Sequence, residues 1–311
     1  MSLTAAAQTD PMEGKNLDLT NFKEPVGTVE IDGSVYALYD DFAALDKGAA
    51  AEKVVICEEA EGLPVREIDY GAFERNDKLR EVVIPDSVNV ISSYAFGGCT
   101  ALEMVTIPGS VEYILPEAFS GCTALETVFM GEGVTGIDFM AFIDCESLTN
   151  VMLPGSLKSI GDGCFLNDTK LTQVIMPDGL EYIGDAAVGY YYDSEDMAEK
   201  PYGCGIIAKS GTLGASYAEE NGMELSEIPA VYDIDTSLPD INIGGEFAPM
   251  PKIDTKDEQQ DKKLTELDKS DREFAVTIGV VAVLIIALTV LEKALFKREN
   301  KYDQRGNRID Q

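Results

Sequence analysis

Hydrophobic residues recur at a fixed interval of 23 residues through the middle of the chain. In residues 103–125 (EMVTIPGSVEYILPEAFSGCTAL), the apolar positions are Val105, Ile107, Val111, Ile114, Phe119, Cys122 and Leu125. Four ungapped units lie between a less regular copy and a degenerate one: 54–79, then 80–102, 103–125, 126–148 and 149–171, then 172–192. A period of about 20 to 29 residues with recurring aliphatic positions is typical of a solenoid, in which each unit buries its apolar face against its neighbours.

Within one unit, the alternation of Val105 and Ile107 predicts a short half-buried strand. A proline closes this strand in four units, at Pro85, Pro108, Pro154 and Pro177. Val111 and Ile114 then begin a second extended segment, and an Ala-Phe step fills the interior on the far side. The pattern predicts a repeat solenoid that is mostly β, with short turns and little helix, and with coils stacked about 4.8 Å apart.

The position three residues after the phenylalanine carries small side chains, which we call the small-residue column: Asn76, Cys99, Cys122, Cys145 and Asp168. A free thiol is small, largely apolar and a weak donor, so a column of buried thiols is one hypothesis. A disulfide between neighbouring rungs is a second, because stacked Cα atoms about 5 Å apart fall within the permitted range. A metal site is a third, although no CxxC motif is present. Cys164 occupies an alanine position, whereas Cys57 and Cys204 lie in the irregular end units.

The repeat also aligns outward positions of the predicted strands. The outward residues of the first strand form a candidate partner-binding row, which we call the outer stripe: Val83, Thr106, Phe129, Met152 and Ile175. Contiguous exposed apolar surface tends to mark an interface, but a covering loop, a neighbouring molecule or scattered apolar exposure without function are the alternatives. Tyrosine is common at recognition surfaces, and a second candidate row follows the second strand, with Gly136 as a break: Val90, Tyr113, Ser159 and Tyr182.

The succession of a strand, "IP", "SVxxI", "xxAFxxC" and a closing leucine resembles the BspA-like (Treponema-type) leucine-rich repeat over about residues 25–227. VEIDGSVYALYDD (29–41) is similar to the opening hairpin of that family, and KSGTLGASYAEENGMELSEI (209–228) to its closing helix and strand. Two segments depart from the pattern: GEG at 131–133, where sister units have proline, and an insertion at 189–205 that we expect to form a loop. The resemblance implies a leucine-rich-repeat fold and a surface protein that binds other macromolecules, such as host matrix proteins or neighbouring cells. It implies neither catalysis nor a fixed site motif.

Composition narrows the function further. The 311 residues include 24 Lys and Arg against 56 Asp and Glu, a formal net charge of −32, so nucleic acid is not an expected partner. The chain has no histidine, which removes the usual general base and the commonest metal ligand. An enzyme would need paired carboxylates in a cleft, which a repeat of this kind does not offer. No DxDxDG calcium loop is present either. We therefore predict no enzyme, no catalytic residue, no cofactor and no metal ligand.

Near the C-terminus, FAVTIGVVAVLIIALTVL (274–291) runs for 18 residues without a charge. As a helix it would measure about 27 Å, which predicts a C-terminal transmembrane helix; a buried core helix is the alternative. Basic residues follow it, and the positive-inside rule places this tail in the cytoplasm: Lys293, Lys297, Arg298, Lys301, Arg305 and Arg308.

The N-terminal MSLTAAAQTD lacks the apolar core of an export signal. Ala5–Ala7 resembles the small residues at a signal-peptidase site, so one hypothesis is that the native N-terminus was removed and a new start was added. The other is a complete, tail-anchored chain whose repeats face the cytosol.

We therefore expect seven segments: a flexible N-terminus at 1–24, a β-hairpin cap at 25–53, leucine-rich repeats at 54–192, a loop and C-terminal cap at 193–228, a disordered acidic linker at 229–272, a transmembrane helix at 273–292 and a basic cytoplasmic tail at 293–311. The expected function is that of a single-pass, membrane-anchored cell-surface protein that binds an extracellular protein or glycan in adhesion or recognition. The alternative is a non-adhesive membrane-tethered scaffold that organises partner proteins.

Overall fold

The computed structural model describes residues 23–195 and 198–227, which form a β-solenoid with little helix, as the sequence predicts. Within these residues, no helix is long and apolar enough to cross a bilayer. The predicted transmembrane helix at 273–292 lies outside them, together with most of the expected N-terminal segment, the linker at 229–272 and the tail at 293–311.

The described elements are short strands and one helix. In chain order they are β1 (Gly27–Ile31), β2 (Ser34–Leu38), β3 (Ala43–Lys47), β4 (Lys53–Val55), β5 (Glu59–Ala60), β6 (Leu63–Ile68), β7 (Glu81–Val83), β8 (Val90–Ile91), β9 (Met104–Ile107), β10 (Tyr113–Ile114), β11 (Thr127–Met130), β12 (Gly136–Ile137), β13 (Asn150–Met152), β14 (Ser159–Ile160), β15 (Gln173–Ile175), β16 (Tyr182–Ile183), β17 (Tyr190–Asp193), β18 (Ala198–Pro201), β19 (Gly205–Ala208), α1 (Leu213–Glu220) and β20 (Leu225–Glu227).

The chain enters the solenoid through a hairpin of β1 and β2, which pair antiparallel. Asp32 and Gly33 form its turn with φ of 51° and 79°. Two successive left-handed residues give a turn whose twist matches that of the flanking strands, which explains the Asp-Gly dipeptide. β2 then pairs antiparallel with β3, and β3 pairs parallel with β6, so the hairpin becomes the first layer of the solenoid.

Two sheets run along the repeats, one for each strand of the unit, and in both sheets the strands of successive repeats pair parallel. The second strands continue from the entry strands in a ten-stranded sheet in the order β1-β2-β3-β6-β8-β10-β12-β14-β16, with β5 paired antiparallel to β6. The first strands form a five-stranded sheet in the order β13-β11-β9-β7-β4. The register advances by one repeat per strand, since Val128 pairs with Val105 on one side and with Val151 on the other.

A stack of phenylalanine rings fills the interior, one ring from each of five successive coils. Neighbouring ring centroids lie 4.8–5.3 Å apart with interplanar angles of at most 8°, and the members are Phe73, Phe96, Phe119, Phe142 and Phe165. Gly48 lies at the N-terminal end of this stack, where a Cβ atom would meet the Phe73 ring at 1.9 Å. Only a glycine, which has no Cβ atom, lets the backbone approach the first ring of the stack this closely.

Each coil also turns through the same left-handed positions. The residue before the Ala-Phe step, or before its equivalents Cys164-Phe165 and Ala187-Val188, has φ between 49° and 62° in six units, at Gly71, Tyr94, Glu117, Met140, Gly163 and Ala186. The residue two after the phenylalanine has φ between 58° and 71° in five units, at Arg75, Gly98, Gly121, Asp144 and Asn167. A non-glycine residue in this region costs about 1–2 kcal/mol, so the coil holds these turns against local preference.

The C-terminal end departs from the regular repeat. β15 pairs with β19, and β19 with β20, so these strands form a separate three-stranded sheet rather than continuing from β13. The insertion, which we expected to be a loop, forms the antiparallel hairpin of β17 and β18. α1 packs over the last coil through Tyr217, whose hydroxyl donates to the Val188 carbonyl at 2.9 Å and accepts from the Val188 N–H at 3.1 Å.

Candidate functional site

The five-stranded sheet lines up most of the outer stripe. Thr106 pairs with Phe129, and Phe129 pairs with Met152, on consecutive parallel strands. Their sequence neighbours Val105 and Val128 are fully buried, so the stripe residues take the opposite, outward face of the strands. Ile175 lies on the neighbouring strand β15, which is bonded to β19 instead of β13.

The outer stripe is accessible over most of its length. Met152 is 43% exposed and Ile175 is 36% exposed. Thr106 is exposed, whereas Val83 and Phe129 are half-buried. The predicted stripe is thus an outward-facing row of four apolar side chains and one threonine, and its role in binding stays a prediction.

Two further residues extend the outer stripe, and sequence reasoning missed both. Val55 pairs directly with Val83 and is 52% exposed. It was missed because the first unit is longer than the others, so a strict 23-residue step does not reach it. Met104 is 41% exposed and precedes Thr106 by two residues, and this period-2 spacing could have identified it.

Charged side chains surround the outer stripe, and the cations among them are paired. Lys53 forms an ion pair with Glu81 at 2.7 Å, and Arg80 with Glu103. The exposed carboxylate of Glu126 lies immediately before β11, and that of Glu132 lies two residues beyond its end. The face as a whole is therefore apolar along its centre and negatively charged at its margins.

The second row is aligned as predicted but is not continuously accessible. Val90, Tyr113, Gly136, Ser159 and Tyr182 pair in succession along the ten-stranded sheet. Val90 is only 3% exposed and Ser159 only 1%. Val90 packs against Leu115 and Tyr113, which accounts for its burial. Tyr113 and Tyr182 alone present surface, so this row lacks the continuity of the outer stripe.

Three members of the small-residue column each form the same type of hydrogen bond. The thiols of Cys99, Cys122 and Cys145 each donate to the carbonyl of the phenylalanine 26 residues earlier, at 3.2, 3.2 and 3.3 Å. All six cysteines are free, and burial raises the pKa of Cys99 and Cys145. This is the geometry of the buried-thiol hypothesis. In the described part of the chain, no group of three cysteine or acidic side chains is placed to hold a metal ion.

Asp168 takes the same position as these thiols but lacks their bond. Its Oδ1 accepts the Cys145 N–H at 2.8 Å, and its buried Oδ2 has no hydrogen-bond partner among the described residues. Burial raises the pKa of this carboxyl well above its ordinary range. At the other end of the column, the neutral Asn76 donates to the Ala49 carbonyl at 3.0 Å. The column therefore accommodates a neutral donor well and a carboxylate poorly.

Another exposed apolar group lies at the turn that follows the second strand. Tyr70 is 61% exposed and Phe139 is 41% exposed. Two coils lie between them, and the equivalent positions in those coils carry Ser93 and Pro116. This group is therefore interrupted, whereas the outer stripe continues from strand to strand.

Comparison with known proteins finds a family model that matches the repeats. Residues 66–193 match six copies of the BspA type leucine rich repeat region. The chain is similar to a leucine rich repeat protein of T. pallidum at 26% identity, covering 58% of this chain and 71% of that one, with a TM-score of 0.40. It is also similar to a leucine rich cell surface protein from Faecalibacterium prausnitzii at 24% identity, covering 61% and 66%, with a TM-score of 0.43. A leucine-rich repeat protein from Bacteroides ovatus matches at 23% identity, covering 64% and 67%, with a TM-score of 0.41. None of the curated proteins matches this chain.

Proposed function

We propose, from the premise that residues 66–193 belong to the BspA-type leucine-rich repeat family, that this chain is a cell-surface recognition protein. The outer stripe is its binding surface. The observation that carries the proposal is continuity, because each of the five consecutive strands from β4 to β13 presents an outward apolar side chain. Val55, Met104 and Met152 are exposed, and Val83 and Phe129 are half-buried. Contiguous exposed apolar surface of this kind marks interaction sites in soluble proteins.

The side chains of the outer stripe favour a protein partner over a glycan. Met104 and Met152 are flexible and polarizable, and they lie on either side of the single aromatic side chain, Phe129. Methionine adapts to irregular apolar partners, and aromatic residues act as anchors at protein interfaces. Apolar side chains of a partner would lose contact with water on this surface, and this burial would supply most of the binding free energy.

Membrane anchoring belongs to the same proposal. The uncharged segment 274–291 and the basic tail that follows it support a single span with the tail in the cytoplasm. The repeats would then face the outside, and the partner would be an extracellular protein.

Protease treatment of intact cells that produce the chain tests this topology. We expect loss of the repeat region while a fragment containing the tail survives, detected with an antibody against residues 293–311. Full protection in intact cells, with cleavage after lysis, would instead support the cytosolic scaffold.

A photo-crosslinking residue in place of Phe129 tests the outer stripe. p-Benzoylphenylalanine is incorporated at Phe129 in one variant and at Phe139, an exposed phenylalanine outside the stripe, in a matched control. Cells carrying each variant are irradiated among neighbouring cells, and the adducts are identified by mass spectrometry. We expect an adduct specific to position 129 that weakens when Met152→Ala is added. Adducts of equal yield at both positions, or only at position 139, would contradict the proposal.

A further inference from the structure

Beside the outer stripe, the cations are paired with carboxylates, and at least one further carboxylate remains unpaired among the described residues. Lys53 and Arg80, the cations next to the stripe, already pair with Glu81 and Glu103. Glu126 is exposed immediately before β11, and none of the described residues forms an ion pair or hydrogen bond with its carboxylate. A partner with free cations would therefore find carboxylates available, whereas a partner with free anions would find both cations occupied.

A second carboxylate is held in a fixed orientation beyond the other end of the same strand. Glu132 accepts the Gly155 N–H at 2.9 Å with Oε1 and the Ser156 N–H at 3.1 Å with Oε2. Its carboxylate remains exposed, and ionised acceptors form the stronger hydrogen bonds with cationic donors. Phe129 therefore lies on a strand with a carboxylate near each end, at Glu126 and Glu132.

We infer that the outer stripe recognises a cationic amphipathic segment of a protein, in which apolar side chains alternate with lysine or arginine. This inference rests on the proposed function of the outer stripe and adds the chemistry of its partner. The apolar side chains of the segment lie on Phe129, Met152 and their neighbours, while its cations reach the carboxylates at the margins.

The dimensions of the surface suit an extended segment. The five paired strands from β4 to β13, about 4.8 Å apart, span about 19 Å, and an extended segment of about six to eight residues covers this length. The net charge of −32 adds long-range attraction for a cationic partner and repels anionic ones, including acidic peptides and anionic lipid surfaces.

Synthetic peptides test the inference directly on the full chain in detergent micelles. Three fluorescent peptides of about eight residues are compared: alternating Leu and Lys, alternating Ser and Lys, and alternating Leu and Glu. Affinity is measured by fluorescence anisotropy at low and high salt. We expect the Leu/Lys peptide to bind about tenfold or more tightly than either of the others, with an affinity that falls as salt rises.

Variants separate the apolar and the charged contributions. Phe129→Ala should weaken the Leu/Lys peptide about tenfold, since aromatic anchors carry much of the affinity. Glu126→Gln should weaken it about two- to fivefold at low salt and less at high salt, as expected for an exposed charge pair. Glu220→Gln, on the exposed face of α1, removes the same charge away from the stripe and should leave the affinity unchanged.

The outcomes distinguish this inference from the proposed function. If the Leu/Lys and Leu/Glu peptides bind equally and Phe129→Ala weakens both, the outer stripe binds apolar segments and the charge inference is wrong. If Ser/Lys binds as tightly as Leu/Lys and Phe129→Ala has no effect, the stripe is not the binding surface and both proposals fail. Equal weakening by Glu126→Gln and Glu220→Gln would show non-specific attraction, which also overturns the inference.

Discussion

The phenylalanine stack and the outer stripe come from the same 23-residue repeat, but they differ in how strictly the repeat fixes the residue. Inside, five successive coils all place phenylalanine, with ring centroids 4.8–5.3 Å apart. Outside, the five stripe positions carry Val, Thr, Phe, Met and Ile in turn. An interior ring contacts the rings above and below it, so its shape is constrained on both sides. An outward side chain is constrained only by its strand, which leaves its identity free to suit a partner.

The largest difference between the two regions is expected when one phenylalanine is truncated in the phenylalanine stack and one in the outer stripe. Phe119→Ala removes a fully buried ring from the middle of the stack, and we expect a loss of about 3–5 kcal/mol in the free energy of unfolding. Phe129→Ala removes a half-buried ring from the outer stripe and should cost less than about 1 kcal/mol. Chemical denaturation followed by circular dichroism measures both.

Phe119→Leu is the control for the shape of the interior position, because it keeps an apolar side chain and should recover part of the loss. Equal losses from Phe119→Ala and Phe129→Ala would contradict the distinction between an interior column that fixes the fold and an outer column that is free to vary.

The second expected effect comes from the one carboxyl in the small-residue column. Burial raises the folded-state pKa of Asp168 above its unfolded value, so its folded form favours the proton. Proton binding by the folded state therefore stabilises the chain. This contribution to the free energy of unfolding is fully present below about pH 3.9, the ordinary aspartate pKa, and is lost as the pH rises through the folded-state pKa. Asp168→Asn provides a neutral donor as Asn76 does, and should stabilise the chain by about 1–3 kcal/mol at pH 8 and little at pH 4.

Thermal unfolding of both proteins across this pH range measures the difference. Asp86→Asn, at an exposed carboxyl, should show no comparable rise with pH. A constant difference between Asp168→Asn and the parent chain at all pH values would mean that the buried carboxyl does not titrate in this range.

The sequence predicted those features of the fold that depend on a recurring type of side chain. It did not predict features in which only the backbone conformation recurs and the residue type varies. The 23-residue period predicted the strand register and the interior position of the phenylalanines, because parallel strands align equivalent residues. It did not predict the left-handed turns, since Tyr94, Glu117 and Met140 adopt a conformation that their residue types do not favour. Nor did it predict that β15 leaves the row of first strands, because the buried strand β19, which competes for its edge, lies beyond the insertion.

The residues of the candidate site were also predictable only in part. The outer stripe was predictable from alternation within the regular units. Val55 was not predicted, because the first unit is longer and the 23-residue step does not reach it. The burial of Val90 and Ser159 depends on tertiary packing, which a period in the sequence does not specify. The missing hydrogen bond of Asp168 required knowledge of what the thiols at equivalent positions bind.

A third prediction concerns the thiols of the small-residue column. Cys122→Ala removes the buried sulfur and leaves the Phe96 carbonyl without its thiol donor, so we expect a cost of about 1–2 kcal/mol. In the native protein, only Cys57 is partly exposed and should react rapidly with iodoacetamide. All six thiols should react after denaturation without a reductant, whereas four would indicate a disulfide between rungs.

The smallest expected effect is at the left-handed turns, where the chain provides a reciprocal pair. Ala186 has φ of 49° and Gly163 has φ of 59° at equivalent positions of successive units. Ala186→Gly should stabilise the chain by about 0.5–1 kcal/mol, because it removes the cost of a Cβ atom in this conformation but adds entropy to the unfolded chain. Gly163→Ala should destabilise it by a similar or larger amount, since its Cβ would also lie 3.3 Å from Cγ of Met140. Opposite signs in the midpoint of thermal unfolding would show that backbone geometry acts separately from the phenylalanine stack, and equal signs would mean that local packing outweighs it.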